Sequence, residues 1–286
     1  MQIILKNKYG EFIIGRGGHG KIIEIDGLGL PKKETQTVTY AGQAGQTTIS
    51  LRDMPRTISM SIDFKGNQDN VLRLYKMLYF EVDIIIISGD VRRKCKGVCT
   101  NPQDVESIIY HRMYKAAIQF VCDDPYFHDL SETVFDVNRR TDKFPNVLEN
   151  GSWYVSLPAV ATVRVNNAGI TNKGAIKIYP IIEIYNNSSV TSGTTFGIVV
   201  TNHTTEKSIT IDRNMKANEK ITIDLPHRKI ISDIDGSIIS FISDDTVLSE
   251  FYLDVGTNDI EIINKNTNQD TASIIRYNNN YEAAVI

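Results

Sequence analysis

The sequence predicts a mainly β protein: an N-terminal β-sandwich or split-barrel domain carrying one α-helix, followed by a second, all-β sandwich. Three observations predict it. Apolar and polar residues alternate through most of the chain, one segment alone has helical spacing, and turn-forming clusters separate the runs. At 286 residues the chain is long enough for about two domains of ~150 residues, each able to bury its own core.

The first notable segment is GRGGHG at residues 15–20, which fits the G-x-G-x-x-G spacing of a loop that wraps a dinucleotide pyrophosphate. That chemistry needs a helix immediately afterwards, with its free N–H groups aimed at the anion. The next residues are instead KIIEIDGLGLP, a β-branched run broken by Gly27, Gly29 and Pro31. EFIIG before the glycines is strand-like as well, so the segment is expected to be a glycine-rich hairpin loop tolerating positive φ, with no nucleotide or other cofactor.

Further along, TISMSIDF places Ile58, Met60, Ile62 and Phe64 on one face and Thr57, Ser59, Ser61 and Asp63 on the other. The period changes in NQDNVLRLYKMLYF, where Val71, Leu74, Tyr75 and Leu78 form one helical stripe and Asp69 or Asn70 can cap it. Strands are then expected at VDIIIIS, VRRKCKGVCT and SIIYHRMYKAAIQFVC, with a turn at Gly89-Asp90. Residues 1–130 thus read as the first domain. Residues 131–155 carry charges, turn formers and prolines without a period and read as a connector.

Residues 156–286 return to alternation in ATVRVNNAG, AIKIYPIIEIY, TFGIVVTN, KSITID, EKITIDL, HRKIISDIDGSIISFI and EFYLDVGTNDIEIIN. Punctuation by NNAG, NNSS, MKANE and DIDG fits an antiparallel sandwich. A last strand is expected around Ile274–Tyr277, with the Asn-rich end loosely held.

Composition narrows the function. Lys plus Arg is 31 and Asp plus Glu 34, a net charge of −3, which offers no general attraction for nucleic acid or anionic lipid. No segment approaches the ~20 apolar residues that span a bilayer. Three cysteines leave one unpaired in any disulfide scheme, as expected of folding in a reducing cytosol.

Candidate chemistry is sparse. Cys95, Cys99, His111 and Cys122 are zinc-compatible, but Cys95-x-x-x-Cys99 is not a tight knuckle and Cys122 ends an apolar strand, so no metal is expected. The pairs Asp123-Asp124 and Asp244-Asp245 lie beside turn signals with no third catalytic group placed by spacing. His19, His128, His203 and His227 are scattered, and no serine occupies a G-x-S-x-G elbow. No catalytic set assembles, and the chain is not expected to be an enzyme. Trp153 and Tyr154 could stack on a sugar ring, which keeps a carbohydrate-binding adhesin as the alternative reading.

The order of segments carries more. DGLGLPKKETQTVTYAGQAGQTTI followed by MPRTISMSIDFKG, the helix, and DDPYF at 123–127 resemble the first domain of the distal tail protein family of long-tailed bacteriophages. NAGITNKGAIKIYPIIEI, FGIVVTN, KANEKITIDL and LDVGTNDIEI resemble that family's C-terminal module, in the same order. The resemblance covers roughly residues 26–264. It implies a homo-hexameric ring at the tail tip, in a virion, phage-like baseplate or tailocin, assembled in the bacterial cytoplasm. It also implies a galectin-like C-terminal sandwich, a tail tube protein and a tip hub protein as partners, and in some members receptor-binding proteins. The long connector and the Asn-rich end depart from the commonest pattern. Some of Tyr40, Gln43, Arg52 and Arg56, around the glycine turn, are expected at subunit contacts, the alternative for Arg52 and Arg56 being ordinary solvated strand-end charges.

Overall fold

A computed structural model of the chain describes all residues except 43, 66–67, 102–104, 110–112, 138, 143–161, 166, 190–196, 267–268 and 285–286. The chain divides into two compact units, Met1–Ser131 with Asn280–Ile286, and Glu132–Asn279.

The first unit contains β1 (Gln2–Asn7), β2 (Gly10–Gly15), β3 (Gly20–Asp26), β4 (Lys33–Val38), β5 (Thr47–Asp53), β6 (Arg56–Lys65), α1 (Gln68–Leu78), β7 (Val82–Ser88), β8 (Val91–Cys99), β9 (Glu106–Ile109), β10 (Met113–Cys122) and β11 (Phe127–His128). Pairing runs β8-β7-β1-β2-β3-β6-β10, and β10 returns to β8 through Phe120↔Cys99 and Val121↔Val98, so these strands close into a barrel. One seam is thin: β2 and β3 share a single parallel bridge, Ile14↔Gly20. Of the sandwich or split barrel expected, the strands thus form a barrel.

Alternation fills its interior. Ile58, Met60, Ile62 and Phe64 of β6 meet Ile3, Leu5, Ile84, Ile86, Ile118 and Phe120, all buried, while Ser59 and Ser61 face the other way. Helix α1 packs against β1 and β2 with Leu74, Met77 and Leu78 buried and Val71 partly so. Its stripe is rotated from the expected one: Met77 takes an inward place and Tyr75 is exposed, its hydroxyl accepting the Val105 N–H at 3.3 Å. The helix begins at Gln68, so Asp69 and Asn70 lie in its first turn. There Asp69 complements the helix dipole.

GRGGHG runs from strand to strand, as expected, and no helix N-terminus is available to an anion. It is not a regular hairpin, because β2 and β3 meet by a parallel bridge. Gly18 and His19 N–H groups donate to the Gly15 and Ile13 carbonyls at 3.0 and 2.8 Å, with Gly15 and Gly17 at positive φ.

The second unit contains β12 (Thr133–Asp136), β13 (Arg139–Asp142), β14 (Thr162–Val165), β15 (Asn167–Asn172), β16 (Ile181–Asn186), β17 (Ile198–Asn202), β18 (Lys207–Ile211), β19 (Lys220–Asp224), β20 (Lys229–Ser232), β21 (Gly236–Ser237), β22 (Gly256–Asn264) and β23 (Thr271–Tyr277). One sheet runs β12-β23-β16-β19-β20-β21 and another β15-β22-β17-β18, with β13–β14 a separate pair. Ile182, Ile184, Ile221, Ile223 and Ile275 from the first join Val200, Ile209, Ile211, Ile260 and Ile262 from the second in one core, which makes the unit a sandwich. Within the stretch expected as a connector, Thr133–Asp136 pairs with β23 as an edge strand, and Phe135 packs against the core.

The Asn-rich end is held, contrary to expectation. β24 (Asn280–Tyr281) pairs with β11 in the first unit, the Ala284 N–H donates to the Leu28 carbonyl at 3.0 Å, and Ala284 is buried.

Gly27, φ +88°, is pressed against the Thr57 carbonyl, and a Cβ there would overlap that oxygen. Gly27→Ala should destabilise the first unit by about 2–4 kcal/mol in urea denaturation. Gly42→Ala, at φ +85° but in open space, should cost only about 1 kcal/mol.

Candidate assembly surface

Arg56, expected at a subunit contact, is 3% exposed and lies inside the first unit. It opens β6 just after Pro55, and the chain direction there sends its side chain inward. Its Nε donates to the Pro125 carbonyl at 2.7 Å, its Nη1 to Gly27 and Gly29 at 2.7 and 2.6 Å, and its Nη2 to Glu282 at 2.6 Å. The guanidinium also lies 4.2 Å from the centre of the Phe127 ring. Burial lowers its pKa from the ordinary arginine value, with nearby Asp124 acting against that, and the group stays charged. A planar fork with five donors can bind several carbonyls at once, which an ammonium cannot reproduce.

This clamp sets the base of an arm. β4 and β5 pair only with each other among the described residues, in register from Lys33↔Asp53 to Val38↔Thr47. At the base, the Met54 N–H donates to Lys32 at 2.8 Å, and the Tyr126 hydroxyl donates to the Asp53 carboxylate. Burial, then Asp53, pushes the Tyr126 phenol well above its usual pKa, so it remains the donor. Along the arm the side chains are exposed, including Tyr40 at 60%, Ile49 at 62% and Leu51 at 58%. An isolated two-stranded hairpin is marginal in water. An arm of this kind with bare apolar residues is suited to packing on another chain.

The C-terminal segment is fastened beside the clamp. Tyr281 lies under the Arg93 guanidinium at 3.5 Å, and Arg93 pairs with Asp129 at 3.1 Å. His128 contacts Asn280 through Nδ1 at 2.9 Å and Asp124 through Nε2 at 3.0 Å. Burial works against ionisation of Asp124, but His128 and the Tyr126 N–H outweigh it and hold the carboxyl below its usual range.

Of the other expected contacts, Arg52 is exposed on β5 opposite Glu34, and Gln43 lies outside the described residues. Trp153, Tyr154 and His111 also lie outside them. Cys95 and Cys122 are buried neighbours, Sγ to Sγ 3.8 Å, and hydrogen bonding with burial pushes the Cys95 thiol far above its usual pKa. Both act as core residues. Asp244 and Asp245 are exposed at a turn, and His227 and His203 pair with Asp224 and Glu261, each at 2.9 Å.

The second unit's buried carboxylates are saturated. Glu183 receives Lys220 Nζ at 2.7 Å, Arg276 Nη2 at 2.6 Å and the Tyr185 hydroxyl at 2.7 Å. Glu219 receives the Lys216 N–H at 2.6 Å, the Ser232 hydroxyl and Arg213. With their oxygens already occupied by donors, these groups bind strands together and are not poised to take a substrate proton. Sequence reasoning missed both clusters: Glu183 sits between core isoleucines of β16, where alternation reads it as a solvated face, and Arg213, Lys216 and Glu219 lie in the link between β18 and β19, which reads as a turn.

The molecule is thus of a mainly β class: two β units with buried carboxylates held by several donors each, and a projecting arm that pairs with itself. Residues 173–281 match the family model of the siphovirus-type tail component, C-terminal domain. The whole chain is similar in fold to the SPP1 Dit (gp 19.1) protein, described as a paradigm of hub adsorption apparatus in phages infecting Gram-positive bacteria. The TM-score is 0.60 at 14% identity, over 92% of this chain and 93% of that one. Chains of the phage P2 baseplate in its activated conformation, with Ca and with Sr, align over 96% of this chain and 97% of theirs. They are more distant, at 10% identity and TM-scores of 0.46 and 0.48. No curated protein matches the chain. The resemblance read from the sequence therefore holds: the chain has a distal-tail-like fold, and its residues 173–281 match a tail-component domain of the siphovirus type.

Arg56→Ala would strand four carbonyls in a buried site and should destabilise the first unit by about 3 kcal/mol. Hydrogen exchange should rise sharply across residues 280–284, with Arg56→Lys intermediate in both measurements. Glu183 gives a pH test. Burial opposes its ionisation, but Lys220, Tyr185 and Arg276 hold its folded pKa below the usual carboxylate value. The stability it contributes is therefore complete above the unfolded pKa and lost as pH falls through the folded one. Urea midpoints of the second unit should decline with acidification across that window, less steeply in Glu183→Gln.

Proposed function

We propose that the chain is a non-enzymatic subunit of a phage or phage-like tail tip that forms a homo-hexameric ring joining the tail tube to the tip hub. The first unit makes the ring, and the second offers the attachment surface for receptor-binding components. The subunit folds in the host cytoplasm, where its thiols stay reduced, and works in the assembled particle. The observation that carries this reading is the match of residues 173–281 to a tail-component domain, within a chain of distal-tail fold. The arm supports it physically, because an exposed hairpin without packing of its own gains stability from a neighbour. The glycan-binding alternative rests on Trp153 and Tyr154, outside the described residues, and no observation favours it.

Native mass spectrometry of the purified chain, alone and with its tube and hub proteins, tests the reading. A closed ring is expected in at least one of these mixtures. A chain that remains monomeric in all of them would refute it.

A further inference from the structure

The seam of the barrel leaves one side of β3 open. β6 occupies the other side, and β2 touches β3 only at Ile14↔Gly20, so among the described residues no strand pairs with Lys21 to Asp26 on that side. Along this side runs a groove of about 560 Å³ lined by Met1, Arg16, Lys21, Ile23, Glu24 and Ile25 among others. Ile23 sits at the bulge where the register against β6 shifts, and is 51% exposed.

We propose that this groove receives the β4–β5 arm of a second copy of the chain, which adds a strand to β3. The proposal rests on the ring reading above and names the two surfaces that would make the ring. Three features support this occupant. Among the described residues β4 and β5 join no strand but each other and β3 joins β2 only at the Ile14↔Gly20 bridge, and arm and groove each present apolar side chains, Ile49 and Leu51 on the arm and Ile23 in the groove. Self-pairing is blocked: Arg56 grips Gly27 and Gly29 in the link between β3 and β4, and the arm's base is tied by Lys32–Met54 and Tyr126–Asp53. The arm cannot fold back onto its own β3 without unseating that clamp. Both surfaces also carry mixed charge, Lys33, Glu34 and Arg52 against Arg16, Lys21, Glu24 and Asp26, which selects a register by opposite pairs. A contact between unlike surfaces repeats from copy to copy, and closes when the rotation permits.

Two variants at exposed positions separate donor from acceptor. Ile49→Asp with Leu51→Asp disables the arm, and Lys21→Glu with Ile23→Glu disables the groove. Each, with its circular dichroism unchanged, should be monomeric at concentrations at least ten-fold above those at which the unaltered chain assembles. Mixed together, they should form a one-to-one dimer and stop there, because a single intact arm and groove remain. A second measurement does not depend on the folding of those variants. Ile23→Cys with Leu51→Cys should give disulfide-linked multimers under oxidised glutathione, and neither single substitution should. Rings that persist in either charged variant, or that yield no cross-link in the double cysteine chain, overturn the pairing and leave the ring reading intact. An unaltered chain that stays monomeric with every partner overturns both.

Discussion

The buried guanidinium of Arg56 is the constraint on which the first unit depends. A charge removed from water is tolerated only where its hydrogen-bonding capacity is met, and here four carbonyls from three separate stretches of the chain meet it. The requirement works in both directions. The carbonyls of Gly27 and Gly29 fix the departure of the arm, that of Pro125 fixes the approach to β11, and that of Glu282 fixes the returning C-terminus. One side chain therefore coordinates the barrel wall, a projecting element and the end of the chain.

A barrel that closes on itself has few edges to offer a neighbour. Pairing between β8 and β10 shuts most of this one, which concentrates the remaining backbone capacity at the thin seam beside β3, at β9 and β24, and on the arm. Assembly specificity can then come from a small number of edges, and misaligned association has little to grip. The second unit stabilises itself differently. Its isoleucine-rich sandwich holds two buried carboxylates, Glu183 and Glu219, matched to arginine and lysine donors, so its strands are fixed by networks instead of by one clamp.

Much of this is legible in the sequence because alternation is a local signal. TISMSIDF assigns the inward faces of β6 correctly, and the absence of helical spacing after GRGGHG disposes of the nucleotide loop. The helix is legible too, but its stripe differs by one inward position, since Tyr75 and Met77 are equally plausible until the strands beneath are known. Arg56 is unreadable as a clamp: its partners lie at residues 27, 29, 125 and 282, and their convergence is a property of the closed barrel. KETQTV lacks the apolar alternation that marks a strand, so the arm is hidden, and the Asn-rich end looks loose because composition does not register a docking site supplied by β11.

The pairing of β11 with β24 bears on how such proteins diversify. The chain leaves the first unit shortly after His128 and re-enters it at Asn280, and these two residues are directly opposed in one ladder. The second unit is in effect an insert between neighbouring strand ends. A different module whose own termini lie a strand's width apart could be spliced there while the first unit keeps its wall and clamp. The connectivity thus allows exchange of the inserted module on an unaltered first unit.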